Sequence, residues 1–78
     1  MTEKDKRLAG VADRLRDARR KRGLTQEALA VKSGVGVATI RRIEGSVSET
    51  KIDTIVRLAD ALGVDLKTLA FGDGEETY

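Results

Sequence analysis

Apolar residues recur at helical spacing along most of the chain, interrupted at regular intervals by glycine. Leu8, Val11, Leu15 and Ala18 fall at i, i+3, i+7 and i+10, and this single stripe predicts a first helix from about Leu8 to Arg22. Gly10 weakens its first turn by about 1 kcal/mol relative to alanine. Arg19-Arg20-Lys21-Arg22 occupy the last turn, where cations suit the negative end of the helix dipole, and Gly23 is the expected stop. Thr25 is the expected N-cap of a second helix with Leu29 and Ala30 facing inward. Gly34 then provides a sharp turn that favours φ > 0. The third helix is predicted over Val37 to Glu44, with Ile40 and Ile43 inward and Gly45 at its end. The fourth is expected after Thr50, with Asp53 at the capping-box position. Its stripe is Ile52, Ile55, Ala59 and Leu62, widened by Val56 and Leu58, and Gly63 ends it. A short fifth helix is predicted over Leu66 to Phe71.

The helix starts share one local device. Leu24 and Leu29 bracket the Thr25 cap, Val35 and Ile40 bracket Gly36, and Val64 and Leu69 bracket Asp65, each a candidate hydrophobic staple. Agreement of caps, staples and stripes predicts an all-α, compact five-helix domain. It is read as a single domain over residues 1–78, with 1–7 and 72–78 as flexible ends and no internal repeat or linker.

The third helix carries a second face. Val37, Ala38, Arg41 and Arg42 follow i, i+1, i+4, i+5 and project away from Ile40 and Ile43. Two arginines beside small apolar residues form a surface that suits the DNA major groove, which is wide enough for one helix.

Charge sharpens that reading. The net charge is only +2, yet residues 1–45 hold twelve Lys/Arg against six Asp/Glu, whereas residues 46–78 hold three against seven. The first part is therefore +6 and the second −4, which points to a polyanion on one side only. Cysteine is absent, so disulfide and thiolate chemistry are excluded, in keeping with a cytoplasmic location. No apolar run approaches the length of a membrane span, and the charged start MTEKDKR, with no apolar region after it, is not expected to be a signal peptide. Histidine is absent too, and no phosphate-loop or metal-ligand pattern occurs; Asp13/Asp17 and Asp73/Glu75/Glu76 read as surface and tail charge. An enzyme is not expected, nor a metal or other cofactor.

Thr25 to Gly45 resembles the helix-turn-helix of the phage-repressor and Cro (XRE) family, with a lambda-repressor-like fold built around helices 2 and 3. The matching features are Gln26, Leu29-Ala30, Gly34, Ile40, Ile43 and Glu44-Gly45. The likeness extends to Leu15, Arg19 and Gly23-Leu24-Thr25 before them, and to Leu58-Ala59 and Ala61-Leu62-Gly63-Val64 after them. It covers roughly Leu8 to Leu69. Two departures stand out: Gly36 occupies a position where Ser or Thr often caps the third helix, and the loop before the fourth helix lacks the common proline.

The resemblance implies a transcriptional regulator that binds double-stranded DNA, with the second helix against the backbone and the third in the groove. Arg42 is the first candidate for a base contact, because a guanidinium pairs bidentately with guanine O6 and N7. Arg41, one step around the helix, is expected on phosphate. Val37 and Ala38 are candidates for thymine methyl groups. Gln26, at the start of the second helix, is implied to bond the backbone, and Thr39 is a phosphate candidate on the flank of the third. Ser46, Ser48 and Lys51 are weaker phosphate candidates, and Arg20, Lys21 and Arg22 add to the attracting field. The family also pairs an arginine near the end of the first helix with a glutamate at the end of the third. That implies a structural salt bridge between Arg19 and Glu44.

A homodimer on a palindromic operator is expected, since two reading helices one turn apart, about 34 Å, match a two-fold site. Ile55, Val64, Leu66, Leu69 and Phe71 are the candidate interface residues, with Leu69 more readily assigned to the monomer core. An interaction module whose main partner is a protein, as an antitoxin grips its toxin, is the alternative, and the acidic tail suits it.

Overall fold

The computed structural model describes residues 10–45 and 50–72. They form five α-helices and no strand: α1 (Val11–Lys21), α2 (Gln26–Ser33), α3 (Val37–Glu44), α4 (Ile52–Leu62) and α5 (Leu66–Phe71). The chain is all-α, as the periodicity predicts.

Local chemistry sets most boundaries. The α1 helix ends in a complete Schellman motif. Gly23 takes φ +68°, its N–H donates to the Arg20 carbonyl, and the Leu24 N–H reaches back to Arg19. The α4 helix ends the same way: Gly63 (φ +67°) donates to Asp60 and Val64 to Ala59. Thr25 caps α2 by accepting from the Ala28 N–H at 3.0 Å, and Asp65 caps α5 by accepting from the Thr68 N–H at 3.2 Å. Between α2 and α3, Gly34 is left-handed (φ +76°) and its N–H donates to Ala30. The Ser33 hydroxyl then accepts from the Val35 N–H at 3.1 Å, which drives Val35 back into the core.

Three boundary expectations shift. The α1 helix is described from Val11, and Leu8 lies outside the described residues. The cap of α4 is Lys51, not Thr50. Its carbonyl receives the Thr54 and Ile55 N–H groups without a side-chain cap, so Asp53 does not sit at the capping-box position. The expected flexible ends lie outside the described residues apart from Gly72, which terminates α5.

Leu15, Leu29, Ile40, Leu58 and Leu62 are fully buried, so α1 to α4 each contribute to one centre, and Leu69 closes it from α5. The principal helix contacts form a closed ring, α1–α3–α2–α4–α5 and back to α1. The stripe of α4 is narrower than its sequence indicates. Ile55, Leu58, Ala59 and Leu62 are buried, but Ile52 is 61% exposed and Val56 40%. Val56 lies about 100° around the helix from Ile55, outside the arc that faces α2 and α5.

Candidate nucleic-acid interface

The inner face of α3 is tied to α1 and α2 through one carboxylate. Arg19 donates from Nε to Glu44 Oε2 at 2.7 Å and from Nη2 to Oε1 at 2.9 Å, a two-point contact between nearly buried side chains. The remaining Arg19 nitrogen, Nη1, donates to the Leu24 carbonyl at 2.8 Å, and Gln26 Nε2 donates to Glu44 Oε1 at 3.1 Å. Arg16 donates to the Glu44 backbone carbonyl at 3.1 Å while pairing with Asp13. Burial pushes the Glu44 carboxyl toward its neutral form. The hydrogen bonds from Arg19 and Gln26, with the Arg19 and Arg16 charges, outweigh it and hold the group below its usual range. The hydrogen bond to Glu44 likewise raises Arg19 above its ordinary value, against the opposing effect of burial.

This node fixes which side of α3 looks outward. Ile40, Ile43 and Glu44 are buried, Ala38, Arg41 and Arg42 are exposed, and Val37 and Thr39 are half-buried on the flanks. Arg41 donates from Nη2 to Glu27 Oε2 at 2.9 Å, an exposed ion pair that bridges α2 and α3. Arg42 lies against Thr39, with Nη2 at 3.4 Å from Oγ1, a long contact that leaves the guanidinium in solvent. Gly36 gives α3 no side-chain cap.

The other candidates are dispersed. Gln26 is half-buried and its amide is turned to Glu44. One amide hydrogen is thereby engaged. Lys51 is exposed at the start of α4, and Ser46 and Ser48 lie outside the described residues. Ile55 and Leu69 are buried in the monomer's own core and Val64 packs against it, whereas Leu66 and Phe71 are exposed. Arg22 covers Gly63, its Nη2 standing 3.0 Å from where a Cβ would be.

Three residues do work that their sequence context conceals. Arg14 donates from Nε to the Leu69 carbonyl at 2.9 Å and from Nη2 to the Ala70 carbonyl at 2.7 Å, which satisfies the C-terminal end of α5 from α1. Its signal is positional, since it falls at i+3 between Val11 and Ala18, a polar member of the apolar stripe. Arg16 and Glu27 carry no comparable sequence signal.

The helix-turn-helix family model HTH_3 matches residues 15–69, a span that begins and ends on the buried residues Leu15 and Leu69. The chain belongs to this helix-turn-helix family. A solved structure of an HTH_3 family transcriptional regulator from Vibrio cholerae is similar to it, with 28% sequence identity and a TM-score of 0.77. That likeness covers 83% of this chain and 36% of the regulator, so the chain spans little more than a third of the regulator's length. The comparison with curated proteins finds no match. Within the HTH_3 frame, α2 and α3 are the two helices of the motif, and the Arg19–Glu44–Gln26 node locks their mutual angle from behind. Among the described residues no cluster of His, Cys, Asp or Glu is placed to hold a metal ion, and no helix is long and apolar enough to cross a membrane.

Proposed function

We propose that this HTH_3 chain is a sequence-specific double-stranded DNA-binding transcriptional regulator that reads the major groove with α3. The observation that carries the reading is the division of α3 into an anchored inner face and an outer face of Ala38, Arg41 and Arg42, flanked by Val37 and Thr39. In this reading Arg42, with its guanidinium in solvent, meets a guanine edge, and Val37 and Ala38 meet thymine methyl groups. Gln26, Thr39, Arg41, Ser46 and Lys51 meet phosphates and set the register. The name of the similar Vibrio cholerae protein, a transcriptional regulator, supports the same reading.

The regulator acts as a homodimer on a palindromic operator, each copy reading about half a turn. Leu66 and Phe71, both exposed on α5, are the side chains offered to a second copy, with Val64 at their edge. Ile55 and Leu69 support that surface from beneath.

Selection of binding sites from a random duplex pool tests the proposal, with Arg42→Ala run beside the parent protein. A palindromic motif whose specificity relaxes at one base of each half-site establishes a dimeric reader and places Arg42 on that base. Uniform weakening with a shallower salt dependence moves Arg42 to phosphate. No enrichment rejects the DNA-binding reading.

A further inference from the structure

Arg41 stands on the outer face of α3, yet its partner is a carboxylate on the neighbouring helix. The Glu27–Arg41 pair is 2.9 Å long, and its side chains are 55% exposed at Arg41 and 66% at Glu27. An ion pair this open contributes little to stability, because water screens it and two long side chains must be ordered to make it. Its placement has a different consequence. Glu27 lies in the first turn of α2, next to Gln26, on the motif that would face a polyanion. A carboxylate there works against phosphate binding, and it also occupies the one arginine of α3 that lies beside it. Its field extends as far as Arg19, whose charged form it favours.

Resting on the DNA-binding reading, we propose that Glu27 is a specificity-determining residue that withholds Arg41 from loosely bound duplex. Binding to arbitrary sequence is driven almost wholly by release of counterions from phosphates that Lys and Arg neutralise. While Arg41 is paired with Glu27 it neutralises no phosphate, so the pair subtracts one contact from sequence-independent binding. At a close-fitting site the backbone is brought against α3, and phosphate replaces Glu27 as the partner of Arg41. The exchange therefore occurs only where the rest of the interface already fits. The device lowers the background against which the operator competes.

The test measures affinity for a random-sequence duplex over a range of salt concentrations for the full chain and for Glu27→Gln, Arg41→Gln and the double variant. Thermal unfolding of each checks that the fold is kept. Glu27→Gln is expected to steepen the dependence of log K on log salt by about 0.9, the value of one added phosphate contact. Arg41→Gln alone is expected to leave the slope for random duplex unchanged, and the double variant to return to the parent slope. Several results overturn the proposal. These are an unchanged slope in Glu27→Gln, a slope about 0.9 shallower in Arg41→Gln, or a double variant as steep as Glu27→Gln. A parent protein that binds no duplex overturns the DNA-binding reading itself and this inference with it. One that binds with the slopes of its Glu27→Gln variant overturns only the role of Glu27.

Discussion

Arg19 and Glu44 lie 25 residues apart in sequence and meet in a two-point contact at 2.7 and 2.9 Å. Their side chains are only 11% and 5% exposed. Because the contact joins the last turn of α1 to the last turn of α3, it sets the height and rotation of the helix that carries the outward arginines. Removing one partner strands the other as an uncompensated charge in a nearly dry site. Glu44→Ala or Arg19→Ala is therefore expected to cost about 3–5 kcal/mol, a large share of what so small a domain has. Urea unfolding measures it, and a loss below about 1 kcal/mol would place the pair among ordinary surface bridges.

The same carboxylate makes stability depend on pH. Glu44 titrates near 4.5 when unfolded and lower in the fold. Between those two values the unfolded chain binds the extra proton, so stability rises with pH across the window. The contribution is complete above about pH 4.5 and is lost as pH falls through the folded value. Unfolding midpoints recorded from pH 6 downward should fall less steeply for Glu44→Gln than for the parent.

Arg14 holds the end of α5 through two charge-assisted bonds to carbonyls 55 and 56 residues away. Replacement by methionine keeps much of the stem but leaves those carbonyls unsatisfied, at a cost of about 1.5–3 kcal/mol. Hydrogen exchange locates the effect, with α5 amides losing protection before those of α2 and α3. Equal loss in all five helices would show that α5 is held by Leu69 and Ala70 alone.

Two glycines separate backbone strain from crowding. A Cβ at Gly34 (φ +76°) meets nothing within 4 Å, so Gly34→Ala costs only the left-handed backbone, about 1–2 kcal/mol. At Gly63 (φ +67°) the same Cβ also comes within 3.0 Å of the Arg22 guanidinium, a flexible tip that must move aside. Gly63→Ala is expected to be the more damaging, and Arg22→Ala should close the difference. Thermal melts of these variants decide it.

Gly36 has room for a side chain and ordinary backbone (φ −61°, ψ 144°). Gly36→Ser adds the missing cap of α3 and should raise stability by a few tenths of a kcal/mol. A lower midpoint would show that the turn needs glycine for a reason beyond its angles.

What the sequence discloses is local. Thr25, Gly23, Gly34, Asp65 and Gly63 act within a few residues of themselves, so the caps and stops they announce are where spacing places them. The periodicity of α4 identifies the helix but not its exposure. Ile52 and Val56 are as apolar as Ile55, and only the positions of α2 and α5 decide which of them is covered. The candidate surface divides likewise. The outward arginines of α3 follow from helical geometry, and the Arg19–Glu44 bond follows from family likeness. The Gln26–Glu44, Glu27–Arg41 and Arg14–Leu69 contacts join residues on different helices, at separations that no local rule reaches.

The ring of helix contacts runs α1–α3–α2–α4–α5, so its closing seam lies between the first and last of the described helices. Of the principal contacts, α2–α3 and α4–α5 join consecutive helices, whereas α1 is held by α3 and α5, neither of which follows it directly. Until α5 arrives, Val11 and Leu15 lack one wall and Arg14 has no carbonyls to bind. The seat of α1, and through Arg19 the anchor of α3, therefore depends on a segment 55 residues further along the chain.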